Sequence, residues 1–115
     1  MDKDRPIEEV CALLKSLLKD DANQIIFCTG RVEDYREKTI EQINKILKGS
    51  KNIDIDSCLY MRPQGDFRKD FIVKRDLYKR MIFDGFNPVI VFEDKITVVE
   101  MWKEMGLKCL RVTGA

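Results

Sequence analysis

Apolar residues along this chain change their spacing repeatedly, and the changes mark alternating helices and strands. Across residues 6–19, Ile7, Val10, Cys11, Leu14, Leu17 and Leu18 recur at helical spacing, with Asp4 placed as an N-cap and Pro6 near the first turn. The run Gln24-Ile25-Ile26-Phe27-Cys28 predicts a short strand ending at Thr29-Gly30-Arg31. Ile40, Ile43 and Leu47 form one stripe of a helix predicted over 32–48, which stops at Gly49. Residues 57–61 predict a weaker strand. A polar block from Arg62 to Asp70 then leads into a helix that runs to about Phe83 and buries Val73, Leu77, Tyr78 and Met81. Pro88 opens an apolar run over 89–92 that ends abruptly in Glu93-Asp94, and a helix over 96–105 and a last strand over 108–113 follow.

The order helix, strand, helix, strand, repeated, predicts an α/β fold with a parallel sheet flanked by helices on both faces. The run Val89-Ile90-Val91-Phe92 reads as a fully buried strand of that sheet. Ligands of open α/β sheets bind outside the carboxyl ends of the strands. That rim would gather Thr29, Arg62 and the Glu93-Asp94 pair.

Composition narrows the picture. At 115 residues the chain reads as a single domain with no interior linker. Its 44% apolar and 36% charged residues are those of a folded domain, and 21 basic against 20 acidic residues leave a net charge of +1. Any footprint for a polyanion must therefore be local. The four cysteines are widely spaced and there is no histidine, which argues against an ordinary zinc site and removes histidine-based triads. Reduced cysteines, no apolar run near the roughly 20 residues of a membrane span, and no signal-type leader lead us to expect a cytoplasmic protein without a membrane partner.

Three groups could carry chemistry. Thr29-Gly30-Arg31 places a hydroxyl, a flexible backbone and a guanidinium at a strand-to-helix junction, where free amide groups favour a phosphate; a capping Thr with a turn Gly is the competing reading. The block containing Arg62, Arg68, Lys69 and Lys74 offers cationic donors to phosphate oxygens, although Asp66 and Asp70 among them also suit a salt-bridged surface, with Asp70 and Lys74 as an i, i+4 pair. Glu93-Asp94 offers hard oxygen ligands suited to magnesium, or Asp94 caps the next helix.

Taken in order, these groups resemble the haloacid dehalogenase (HAD) superfamily of phosphohydrolases, and within it the 3′-phosphatase domains of phage-type polynucleotide kinases. The resemblance rests on Thr29-Gly30-Arg31, on Arg62-x-Gln64-Gly65-Asp66-x-Arg68-Lys69-Asp70-x-x-Val73-Lys74, on Glu93-Asp94, and on Val98-Val99-Glu100-Met101-Trp102 with Gly106. It implies a Rossmann-like sheet with a magnesium-dependent site at its carboxyl edge. Thr29 would bind the transferring phosphoryl group, Lys74 would neutralise it with Asp70 in support, and Glu93 and Asp94 would hold the metal. Gly30, Arg31, Arg62 and Arg68 would bind the substrate, a phosphorylated nucleic-acid end or nucleotide.

One departure follows from the resemblance. Family members begin with a strand ending in Asp-x-Asp-Gly, whose first Asp is the nucleophile. Met1-Asp2-Lys3-Asp4 has no strand before it and no Gly after it, so neither Asp2 nor Asp4 receives that role. The missing strand would lie at the centre of the sheet, between 24–28 and 89–92. Direct closure of the sheet, strand exchange in a homo-oligomer, or a strand supplied by another polypeptide could resolve the gap. By itself the chain is expected to be inactive or nearly so, with a phosphate-binding module or a strand-exchanging assembly subunit as the alternatives.

Overall fold

The alternation read from the apolar spacing is present in the computed structural model, which describes residues 8–50 and 52–112. In order it holds α1 (Glu8–Leu17), β1 (Phe27–Val32), α2 (Arg36–Ile46), β2 (Leu59–Arg62), α3 (Asp70–Phe83), β3 (Ile90–Glu93), α4 (Ile96–Glu104) and β4 (Lys108–Arg111). The expected cap Asp4 and strand end Thr113 lie outside the described residues, as does Asp2.

Pairing moves several boundaries. β1 runs from Phe27 through Val32, because Phe27, Cys28 and Thr29 lie opposite Leu59, Tyr60 and Met61, and Val32 lies opposite Arg62. Thr29-Gly30-Arg31 therefore sits inside the strand, at an irregularity of its ladder, rather than beyond its end. A 3-10 turn at Glu33–Tyr35 then delays α2 to Arg36. β3 ends on Glu93, which pairs with Arg111, so one of the two rim carboxylates belongs to the ladder itself. Helices α3 and α4 end close to the positions expected, at Phe83 and Glu104, and just beyond them Gly85 (φ +98°) and Gly106 (φ +88°) take the left-handed conformation that reverses the chain.

All pairing is parallel, yet it falls into two sheets, β1 with β2 and β3 with β4. A single sheet was expected, and direct closure across its gap is not what the chain does: β1 and β3 share no ladder. Among the described residues each of them keeps one edge without a strand partner.

The first sheet is covered on both faces. Phe27, Leu59 and Met61 face α1 and α2, where they meet Leu14, Leu18, Ile43 and Leu47. The alternate residues Cys28 and Tyr60 face α3 and meet Val73, Leu77 and Met81. The second sheet is covered on one face, where Val91 and Cys109 meet Val98, Met101 and Trp102 of α4. On its other face Ile90 and Leu110 are exposed, so β3 is not the fully buried strand its composition suggested. No described helix lies over that face. The two halves join where α3 meets α4, with Tyr78 edge-on to Trp102 at 5.8 Å between ring centres.

Truncating Met61, almost wholly enclosed between α2 and β1, is expected to lower the unfolding free energy by about 2–5 kcal/mol. The check is a urea titration of Met61→Ala, in which the midpoint falls at constant slope. Phe83→Ala, at a solvent-facing position, should shift it by less than about 0.5 kcal/mol.

Candidate active site

Two ionic knots form at the carboxyl ends of the strands. The first is built on Arg62, the last residue of β2. Its Nε–H donates to the Gly30 carbonyl at 2.8 Å, and Nη1 donates to the carbonyls of Asp66 and Arg68 at 2.9 and 2.6 Å. Nη2 bonds the Asp70 carboxylate at the start of α3. The other Asp70 oxygen accepts from Lys95 Nζ at 2.9 Å. One guanidinium thus ties together β1, the loop after β2, and α3. Gly30 allows this approach, since a Cβ there would stand 2.9 Å from Asp70 Oδ1.

The second knot is buried. Glu93 is 7% exposed and accepts from Lys74 Nζ at 3.0 Å, from Trp102 Nε1 at 3.2 Å, and from the Lys95 amide at 3.4 Å. A carboxylate at that depth is tolerable only with such partners. Asp94, one residue on, is exposed, and no side chain caps α4, whose N-cap residue is Lys95.

Partners differ from those the spacing suggested. Asp70 and Lys74 do occupy i, i+4 positions on α3, but their bonds go elsewhere: Asp70 to Arg62 and Lys95, Lys74 to Glu93. The reason is that β2 and β3 deliver a guanidinium and a carboxylate to that helix from either side. Arg68 pairs with Asp66 and Asp76, both at 2.8 Å, as the salt-bridged surface reading has it. Thr29 caps no helix; its hydroxyl accepts the Arg31 amide at 3.2 Å. Arg31 donates to Gln42 at 2.6 Å and to Thr39 at 3.3 Å, and its guanidinium stands 6.0 Å from the centre of the Tyr35 ring. Lys95 and Trp102 were assigned no role from the residues alone. Lys95 directly follows the acidic pair, which was the available signal; Gln42 had none, lying eleven positions from Arg31 in sequence.

The electrostatics follow from these contacts. The bond from Lys95 holds the Asp70 carboxyl below its ordinary range, with Arg62 adding to the effect. Arg68 lowers Asp66 to about 2. Burial pushes the Cys28 thiol up to about 12, so this cysteine is protonated and a poor nucleophile although it lies within electrostatic reach of Lys74 and Glu93. All four cysteines are free thiols.

Parallel strands flanked by helices, with cations and carboxylates gathered at the strands' carboxyl ends, define a HAD-type, Rossmann-like phosphatase scaffold. The chain belongs to the family described as the polynucleotide kinase PNKP phosphatase domain, whose profile matches residues 1–115. It is also 34% identical, over 84 residues, to a protein of Autographa californica nuclear polyhedrosis virus that is by name a bifunctional polynucleotide kinase/RNA ligase. The match covers 72% of this chain and 11% of that relative, so the chain spans a small part of the relative's length.

Phosphatases of the HAD superfamily typically use magnesium. Among the described residues no three acidic or cysteine side chains converge on one point. Both Glu93 oxygens are taken by Lys74, Trp102 and the Lys95 amide, which leaves Asp94 as the free carboxylate of the pair. The described residues do not by themselves form a magnesium site.

Glu93→Ala would strand the Lys74 ammonium, 12% exposed, beside an unsatisfied indole N–H. The expected loss is about 3–5 kcal/mol in urea unfolding, with much of it recovered in a Lys74→Met, Glu93→Leu double variant. Acid should act on the first knot. Asp66 and Asp70 both have folded-state pKa values below their unfolded ones, so the contribution of each is present above its unfolded pKa and is lost on acidification, for Asp66 as pH falls toward about 2. Amide hydrogen exchange in the 63–69 loop should rise over that window.

Proposed function

We propose that this chain is the phosphate-handling part of a polynucleotide 3′-phosphatase of the HAD type. The observation that supports the reading is Lys74, a largely buried ammonium held by Glu93 at the carboxyl end of β3 and within electrostatic reach of Cys28, the residue before Thr29. In this reading the Lys74 ammonium neutralises charge on the transferring phosphoryl group, the Thr29 hydroxyl donates to one of its oxygens, and Arg31 contacts the nucleic-acid end. Asp70 acts through Arg62 and Lys95, by fixing the loop and the start of α4, rather than by touching substrate.

Neither ionic knot supplies the attacking group. Asp70 and Glu93 are bound to cations, and the Cys28 thiol is protonated. The unpaired edges of β1 and β3 support a second element of the proposal: a parallel strand placed between them carries the nucleophilic carboxylate. Attack by that carboxylate on phosphorus would break the bond to the 3′ oxygen, which takes a proton from the second Asp of the added strand and leaves as a 3′-hydroxyl, while the acyl phosphate that remains is hydrolysed by water, whose proton returns to that Asp.

Purified chain with magnesium is expected to release no phosphate from a 3′-phosphorylated oligonucleotide. Addition of a peptide with an apolar, β-branched strand ending in Asp-x-Asp-Gly should restore release, and Lys74→Ala should reduce the restored rate by about 100-fold or more. Robust turnover by the chain alone, abolished by Asp2→Asn or Asp4→Asn, would overturn the proposal. The same open edges favour strand exchange between copies as the competing source of the strand, which native mass spectrometry would report as a dimer.

A further inference from the structure

Phe67 is 95% exposed, in the loop between β2 and α3. Its ring is out in water, but its backbone is held. The residues on either side, Asp66 and Arg68, both give their carbonyl oxygens to Nη1 of Arg62. Their side chains close a second clamp, with Asp66 Oδ1 accepting from the Arg68 amide at 3.1 Å and from Arg68 Nε at 3.0 Å, and Arg68 also reaching Asp76 on α3. The same Arg62 bonds Gly30 and Asp70 at the candidate active site. A large aromatic ring is thus mounted on a fixed pedestal whose base is the site itself.

We propose that Phe67 is a stacking platform for a nucleobase of a single-stranded nucleic-acid end entering the site. The inference rests on the nucleic-acid reading above and adds to it a residue that grips the base. Two features separate this from a protein-docking patch. Pro63, Gln64, Gly65, Arg68 and Lys69, its neighbours in the loop, are exposed and mostly polar, so the loop that carries the ring offers no apolar stretch of the kind that protein interfaces use. One π-face with cations beside it is instead the combination that holds single strands, the ring taking a base and the cations the backbone. Lys69, adjacent to the pedestal, has no ion-pair partner among the described residues. Fixing the ring beforehand also lowers the ordering cost of binding.

The test is fluorescence anisotropy of a labelled single-stranded oligonucleotide with a 3′-phosphate, titrated with the 115-residue chain at one salt concentration. Phe67→Ala should weaken binding about five-fold or more, and Phe67→Leu, which keeps apolar area without a π-face, nearly as much. Phe67→Trp should bind at least as well, with indole emission quenched on binding against the constant background of the buried Trp102. An oligonucleotide abasic at its 3′ end should bind the unsubstituted chain only as well as the normal one binds Phe67→Ala. Stacking is overturned, with the nucleic-acid reading intact, if the oligonucleotide binds but Phe67→Ala or Phe67→Leu binds it equally well, or if the tryptophan variant shows no quenching. Absence of binding by the unsubstituted chain would remove the nucleic-acid reading and the platform with it.

Discussion

The structure depends on one buried carboxylate. Glu93 ends β3, and its oxygens hold Lys74 of α3, Trp102 of α4 and the amide of Lys95. With β1 and β3 in separate sheets, no backbone ladder connects the two halves of the chain. Contact between α3 and α4, together with this carboxylate, does that work instead. Removing a charge from water is costly, and only a set of partners this complete makes Glu93 tolerable at that depth. The partners must therefore stay in place, which ties β3 to α3 and α4.

The same logic governs the rim. Arg62 spends its donors on protein atoms: the Gly30, Asp66 and Arg68 carbonyls and the Asp70 carboxylate. A guanidinium satisfied in this way is a poor phosphate ligand and a good scaffold. It fixes the loop that carries Phe67 to the start of the helix that carries Lys74. Asp70, shared between Arg62 and Lys95, extends that scaffold to the start of α4.

Much of this was legible beforehand, and the misses have definite causes. The helices were readable because their apolar residues repeat and their ends carry glycines, as at Val73, Leu77 and Met81 before Gly85. β1 was misplaced because Gly30 has low strand preference and interrupts the apolar run, while pairing with β2, a partner far away in sequence, carries the strand on to Val32. β3 looked fully buried because Val, Ile and Phe report a tendency to be covered, not whether a covering element is present. The charged block from Arg62 to Lys74 was recognisable as a cluster, and the family resemblance pointed to its role. Which cation met which carboxylate was not, since i, i+4 spacing describes one helix while the actual partners came from other elements.

Sequence alone determined the order of elements, the parallel character of the strands, and the carboxyl-end rim on which Arg62 and the Glu93-Asp94 pair lie. Periodicity, chain order and motif spacing are local properties, readable one segment at a time. Only the tertiary structure decided that the described strands form two sheets, that Glu93 is an internal anchor while Asp94 faces solvent, and that Arg62 bonds Gly30, Asp66, Arg68 and Asp70. Those outcomes depend on burial and on pairing between distant segments, where the cost of an unsatisfied charge selects one arrangement among several that the residues themselves permit.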